Sequence, residues 1–155
     1  MKVYSIVVLL GFFLFNAFGT ESNFEIIVPG GWVKNEQSLA LGQYQNGMAS
    51  LIITKDSMPY DSKTPDSYVE FIKGRLAKSF SNTNFETVEK GTLDKLDTRE
   101  LKYTAEISGM KFYYDVLYVF KDNKAFTITS GNLIDKVDEK YKNEIKSIFA
   151  SFKLK

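Results

Sequence analysis

Aspartate and glutamate side chains are the groups in this sequence best suited to chemistry, and several lie in short clusters. One polar segment contains Asp56, Asp61 and Asp66, and further groups lie at residues 94–97 and 135–139. Calcium binds proteins through such oxygen atoms, which converge on the ion at about 2.3–2.6 Å. None of the clusters has the spacing of a helix–loop–helix calcium site, and aspartates also stabilise turns and helix N-termini. Asp56, Asp61 and Asp66 are the candidate metal ligands, with turn and cap roles as the alternative.

Two missing residue types limit the reactions that this chain could catalyse. The 155 residues include no histidine and no cysteine. This excludes an imidazole general base, a thiol nucleophile, zinc sites built from these residues, and disulfides. A hydrolase with two carboxylates stays open, because glycosidases need only such a pair about 5–10 Å apart, yet no pair stands out in the sequence. We therefore expect no catalytic residues and no cofactor.

Three aromatic residues near predicted turns or strand ends are candidates for contact with a partner. They are Trp32, Tyr44 and Tyr60, whose large rings suit contacts with proteins or glycans. The alternative is a role in the core, and Trp32 after Pro-Gly-Gly would then close one end of the domain. Nucleic acid is not an expected partner, because 20 basic and 19 acidic residues leave no strongly positive field.

The first residues have the pattern of a secretory signal peptide. Lys2 precedes a short apolar run, and small residues then lead into a polar segment. We predict a signal peptide at residues 1–19 with cleavage after Gly19, and a single exported domain at residues 20–155. The run is shorter than the roughly 20 residues that span a bilayer, so no stable span is expected after cleavage. An uncleaved N-terminal anchor is the alternative, and the final location is the periplasm or the medium.

The remaining sequence alternates between strand-like and helix-like patterns. At residues 112–120 both faces are largely apolar, which indicates a central strand covered on both sides. Asp122-Asn123 tolerates positive φ and predicts a tight hairpin with residues 125–129. Apolar residues three and four apart predict helices at residues 64–80 and 138–149. Other strands are predicted at residues 24–28, 38–44, 49–54, 85–90 and 99–107, with a loop at residues 55–63.

These pieces, in this order, resemble the Mog1/PsbP-like fold, and in particular small exported bacterial PsbP-related and DcrB-like domains. The matching segments are Pro29-Gly30-Gly31-Trp32, Leu51-Ile52-Ile53, Thr64-Pro65-Asp66-Ser67-Tyr68, the hairpin at 114–129 and the end at 145–153. The resemblance implies an α+β fold, a three-layer α/β/α sandwich with an antiparallel sheet of about six or seven strands and two main helices. It implies no enzyme activity, because its characterised members act by binding other proteins.

Three hypotheses about function follow from the sequence. The first is an exported, non-catalytic binding or accessory protein that engages another protein. The second is a small-ligand or calcium-binding protein with a cleft near Trp32 and the segment from Asp56 to Asp66. The third is a hydrolase, which would need a cleft with at least two converging ionisable groups of perturbed pKa.

Overall fold

A computed structural model describes residues 24–155 of the chain. The predicted signal peptide and its cleavage after Gly19 lie outside the described residues. The elements in chain order are β1 (Phe24–Glu25), β2 (Val33–Lys34), β3 (Gly42–Asn46), β4 (Ala49–Ser57), α1 (Pro65–Ser79), β5 (Ser81–Phe85), β6 (Glu89–Leu93), β7 (Leu96–Ile107), β8 (Met110–Lys121), β9 (Lys124–Leu133), a 3-10 turn (Ile134–Lys136), α2 (Glu139–Ser151) and β10 (Lys153–Leu154).

Eight of the strands form one antiparallel sheet. Its order is β2-β3-β4-β9-β8-β7-β5, and β6 also pairs with β7, because β7 is long enough to pair with both short strands along one edge. The strands β1 and β10 form a separate two-stranded ribbon. The described sheet therefore has eight strands, where the sequence predicted about six or seven.

The central strand β8 has two buried faces, which confirms the predicted sandwich. Phe112, Tyr114, Val116, Tyr118 and Phe120 share a core with residues of α1. The alternate side chains share the opposite core with α2, and they are Tyr113, Leu117 and Val119. The two helices thus cover opposite faces of one sheet, and the fold is α+β with three layers.

Local signals in the sequence set the boundaries of the hairpin and both helices. Asp122 and Asn123 have φ angles of 52° and 57°, so the predicted tight turn between β8 and β9 is confirmed. The hydroxyl of Thr64 accepts a hydrogen bond from the Ser67 amide at 3.2 Å, and the Ser67 hydroxyl accepts from the Thr64 amide at 3.1 Å. This capping box starts α1. Asp138 caps α2 by accepting from the Tyr141 amide at 2.8 Å.

The short and edge elements differ from the prediction. The strand predicted at residues 24–28 has only two residues, and these pair with the end of the chain instead of the main sheet. The strand predicted at residues 85–90 is divided between the end of β5 and the start of β6, and β6 forms a hairpin with β7 through the left-handed Asp94 and Lys95. The β4 strand continues to Ser57 because β9 pairs with it throughout, so Asp56 lies in a strand and not in a loop.

Candidate functional site

A cleft lies between α1 and the sheet. The helix packs on the half of the sheet that contains β5, β7 and β8, so it leaves the same face of β4 and β9 partly open. The cleft between them has a volume of about 160 Å³. One side of α1 forms the wall of the cleft. The floor is the α1-facing side of β4, β9 and part of β8, and the segment after β4 closes one end. The main lining residues are Ile52, Thr54, Asp56, Tyr68, Phe71, Ile72, Arg75, Leu76, Phe80, Val116, Tyr118, Thr127 and Thr129.

The cleft is apolar with a few polar groups, which is the usual composition of a small-molecule site. Asp56 supplies a carboxylate from β4, and Arg75 supplies a guanidinium from α1. Partial burial raises the pKa of Asp56, and the positive charge of Arg75 opposes this increase. A carboxylate that has lost part of its hydration gains from any ligand group that can donate a hydrogen bond or carry a positive charge.

Packed aromatic rings hold the floor and wall of the cleft in place. Tyr68 of α1 is 2% exposed, and its ring makes edge contacts with Tyr118 at 5.9 Å and with Phe120 at 5.7 Å between centroids. Its hydroxyl hydrogen-bonds with Thr127 of β9, while burial raises the pKa of the phenol. These contacts tie α1 to both central strands, so the cleft is formed before any ligand arrives.

The three predicted contact aromatics lie in different environments. Trp32 and Tyr44 pack, partly buried, against the core on the α2 side, and the Trp32 indole N–H donates to a carboxylate oxygen of Glu144 in α2. Tyr60 is 89% exposed, and the ammonium of Lys63 lies 4.6 Å from the centroid of its ring. Trp32 is therefore on the opposite side of the sheet from the cleft, and the structure does not bring it together with Asp56.

The predicted metal ligands also have separate surroundings. Asp56 lines the cleft and Asp61 is exposed. Asp66 accepts from the Arg99 Nε at 2.6 Å and the Lys90 Nζ at 2.7 Å, and these hydrogen bonds lower its pKa to about 2. Across residues 24–155, no group of three or more acidic residues is arranged to hold a metal ion. Asp66 instead joins the start of α1 to β6 and β7.

A second acidic site lies on the other face of the sheet and was missed in the sequence. Asp115 of β8 is 6% exposed, and its Oδ1 atom has no hydrogen-bond partner within the described part of the chain. Burial, with Glu100 as the next cause, raises the pKa of Asp115 to about 8. Lys102 of β7 lies opposite Asp115 in the ladder. The one available signal was a charged residue inside an otherwise aromatic and β-branched strand.

Comparison with solved structures identifies the fold. The structure of the cyanobacterial PsbP protein from Synechocystis superposes with a TM-score of 0.61 over 86% of this chain and 87% of that chain, at 15% identity. The chain has a PsbP-like fold. At this level of identity the likeness shows the fold alone, because one fold serves many functions.

Two further structures share this PsbP-like fold. LpqN of Mycobacterium tuberculosis, a protein involved in cell envelope biogenesis, has a TM-score of 0.65 at 15% identity and covers 84% of this chain and 82% of its own. A Pseudomonas aeruginosa protein of unknown function, PA94, has a TM-score of 0.62 at 13% identity, covering 88% and 85%. No protein-family model and no curated protein matches the sequence. Neither helix within residues 24–155 is long and apolar enough to cross a membrane.

Proposed function

We propose that this chain is an exported, non-catalytic binding protein that holds a small ligand in the cleft beside α1. The observation that carries the proposal is the cleft itself, with its aromatic wall and its two opposite charges at Asp56 and Arg75. The signal-peptide pattern at residues 1–19 supports export of residues 20–155 as one domain. The envelope role of LpqN, which has the same fold, supports a place outside the cytoplasm.

The composition of the cleft favours binding over catalysis. Its ionisable lining consists of Asp56, Tyr68, Arg75, Tyr103 and Tyr118. Burial raises the pKa of each of the three phenols, which keeps them protonated at neutral pH. A hydrolase with two carboxylates would need a second acid beside Asp56. The acids Asp115 and Glu100 do not supply it, because they face the opposite side of the sheet. The groups that remain can orient a ligand by charge and hydrogen bonds.

A substitution that fills the cleft should abolish ligand binding without unfolding the protein. Thr54 is half-buried on the floor of the cleft, so the indole of Thr54→Trp would occupy the space that a ligand needs. We expect half-maximal fluorescence of Nile red, an uncharged apolar dye, to require at least about tenfold more Thr54→Trp protein than native protein. The measurement is a fluorescence titration of each protein at constant dye concentration.

Thr104→Trp is the matched control, because Thr104 is a half-buried threonine of β7 whose side chain lies on the opposite face. This variant should bind the dye as the native protein does. Equal dye binding by the native protein and Thr54→Trp, with both folded by circular dichroism, would contradict the cleft as the binding site.

Binding of a partner protein is a second candidate, and the exposure of Tyr60 favours it. The ring lies on the segment between β4 and α1, next to Pro59 at the end of the cleft. An exposed aromatic ring gains more from burial at an interface than most surface residues. A photo-crosslinking phenylalanine analogue at position 60 should yield one discrete adduct in cells, and the same analogue at position 44 should not. Identical products at both positions, or none at 60, would exclude this surface.

A further inference from the structure

We propose that the ligand of the cleft is a small zwitterionic amphiphile, with an apolar body and a head group that carries one positive and one negative charge. This inference rests on the proposed function, because it names the ligand class of the same cleft. It depends on where the polar and apolar lining residues lie along the strands and along α1.

The floor of the cleft changes from apolar to polar along one strand. Ile52, Thr54 and Asp56 are every second residue of β4, so their side chains face the same side of the sheet. Successive ones are about 6.6 Å apart along the strand. Asp56 is at the end where Ser57 and Pro59 close the cleft. The floor therefore provides about 13 Å between an aliphatic side chain and a carboxylate, enough for a short alkyl chain with a polar head.

The wall of the cleft has the same polarity gradient. Leu76 of α1 and Phe80, the C-cap residue of this helix, share a core with Tyr103 and Val116 at the apolar end. Tyr68 lies in the N-terminal half of α1, beside Thr127, which pairs in the sheet with Thr54, two residues before Asp56. The apolar part of a bound molecule would thus pack against Leu76 and Phe80.

Two opposite charges act on the polar part of the cleft. The Asp56 carboxylate is partly buried, and the charge of Arg75 acts on it and on the Tyr68 phenol. The Arg75 guanidinium carbon lies 5.6 Å from the centroid of the Phe71 ring, which holds the side chain along the wall. A purely anionic head would be repelled by Asp56, and a purely cationic head would be repelled by Arg75. A zwitterionic head can place each of its charges near the opposite one.

The test uses three probes that differ only in the head group. Octylglycine carries both charges, nonylamine lacks its carboxylate and decanoate lacks its amine. We expect the native protein to bind octylglycine at least about tenfold more tightly than either single-charge probe in calorimetric titration, the difference expected for one charge-assisted hydrogen bond. Asp56→Asn should remove most of the advantage over decanoate, whereas Asp61→Asn, at an exposed aspartate outside the cleft, should keep it.

The outcomes separate this inference from the proposed function. If decanoate or nonylamine binds as tightly as octylglycine, and Thr54→Trp abolishes that binding, the cleft is a ligand site and the zwitterionic class is wrong. The same conclusion follows if Asp56→Asn leaves the preference for octylglycine unchanged. If no probe binds and the dye does not bind either, both proposals fail. Dye binding that Thr54→Trp abolishes, without binding of octylglycine, overturns the ligand class alone.

Discussion

Replacing Gly131 with alanine is expected to lower the free energy of unfolding by about 1–3 kcal/mol. Gly131 of β9 lies directly opposite Tyr114 of β8, and a Cβ atom added to it would lie 2.7 Å and 2.9 Å from two carbon atoms of the Tyr114 ring. Those distances are shorter than carbon–carbon contact allows, so the ring or the backbone must move.

The Tyr114 ring has little room to move away from such a Cβ atom. It is 1% exposed, and its centroid lies 4.8 Å from that of Tyr103 and 6.3 Å from that of Phe112. Any displacement is therefore transmitted to the core under α1. Because that core also forms part of the cleft floor, the variant should lose dye affinity together with stability.

Gly74→Ala provides a control of opposite sign. Gly74 is exposed within α1, and nothing lies within 4 Å of the position that its Cβ atom would take. Alanine favours the helix over glycine by about 1 kcal/mol, so this variant should be more stable than the native protein. Urea denaturation of the three proteins measures both changes. A Gly131→Ala variant that unfolds at the native urea concentration would show that the Tyr114 ring adapts without cost.

Replacing Asp115 with asparagine should change how stability depends on pH. Because the pKa of Asp115 is raised to about 8, the folded protein keeps a proton there that the unfolded chain releases above about pH 4. The unfolded state then binds fewer protons, so the free energy of unfolding falls as pH rises, by up to about 1.4 kcal/mol per pH unit between about 4 and 8. Above pH 8 both states are ionised and this contribution becomes constant.

Asp115→Asn removes this titration and keeps the shape of the side chain. We expect the variant to have a smaller pH slope than the native protein between pH 5 and pH 8, and to be at least as stable above pH 8. Charges from neighbouring elements act on the site, namely Glu100 and Lys102 of β7 and Glu89 of β6, and Tyr141 of α2 senses the Asp115 charge. Urea denaturation at several pH values measures the slope.

Asp97→Asn, at an exposed aspartate of β7, is the control for a change in net charge alone. Its slope should remain close to that of the native protein. A native-like slope in Asp115→Asn would mean that Asp115 is ionised in the folded protein at neutral pH, and that the positive charge of the neighbouring Lys102 outweighs the cost of burial.

The central elements could be predicted because their sequence signals are strong and agree with one another. The two apolar faces at residues 112–120 specify a central strand, and Asp122-Asn123 specifies the turn after it. The caps at Thr64 and Asp138 specify where the two helices begin. The strands β1, β2 and β6 have only two to five residues each, and β1 pairs with the far end of the chain. Short edge strands carry little periodicity, so sequence reasoning cannot fix their register.

The site was less predictable than the fold, for a reason that lies in the packing. The cleft exists because α1 lies toward β7 and β5 and leaves part of β4 and β9 open, and no local pattern specifies that offset. Asp56 was singled out as a candidate in a loop beside Asp61 and Asp66, whereas in the structure it belongs to β4 and lines the cleft without them. Asp115 was not singled out as a site residue, since its burial depends on the helix that packs over that face of the sheet.

The ribbon of β1 and β10 also determines from which face of the domain a linker or anchor would leave. Phe24 pairs with Leu154, and its ring stacks on Phe152 at 5.5 Å, so both ends of the described chain leave from the layer that contains α2. The mouth of the cleft opens on the other side of the sheet. A linker, purification tag or surface anchor joined at either end would therefore hold the protein with its cleft turned toward the solvent.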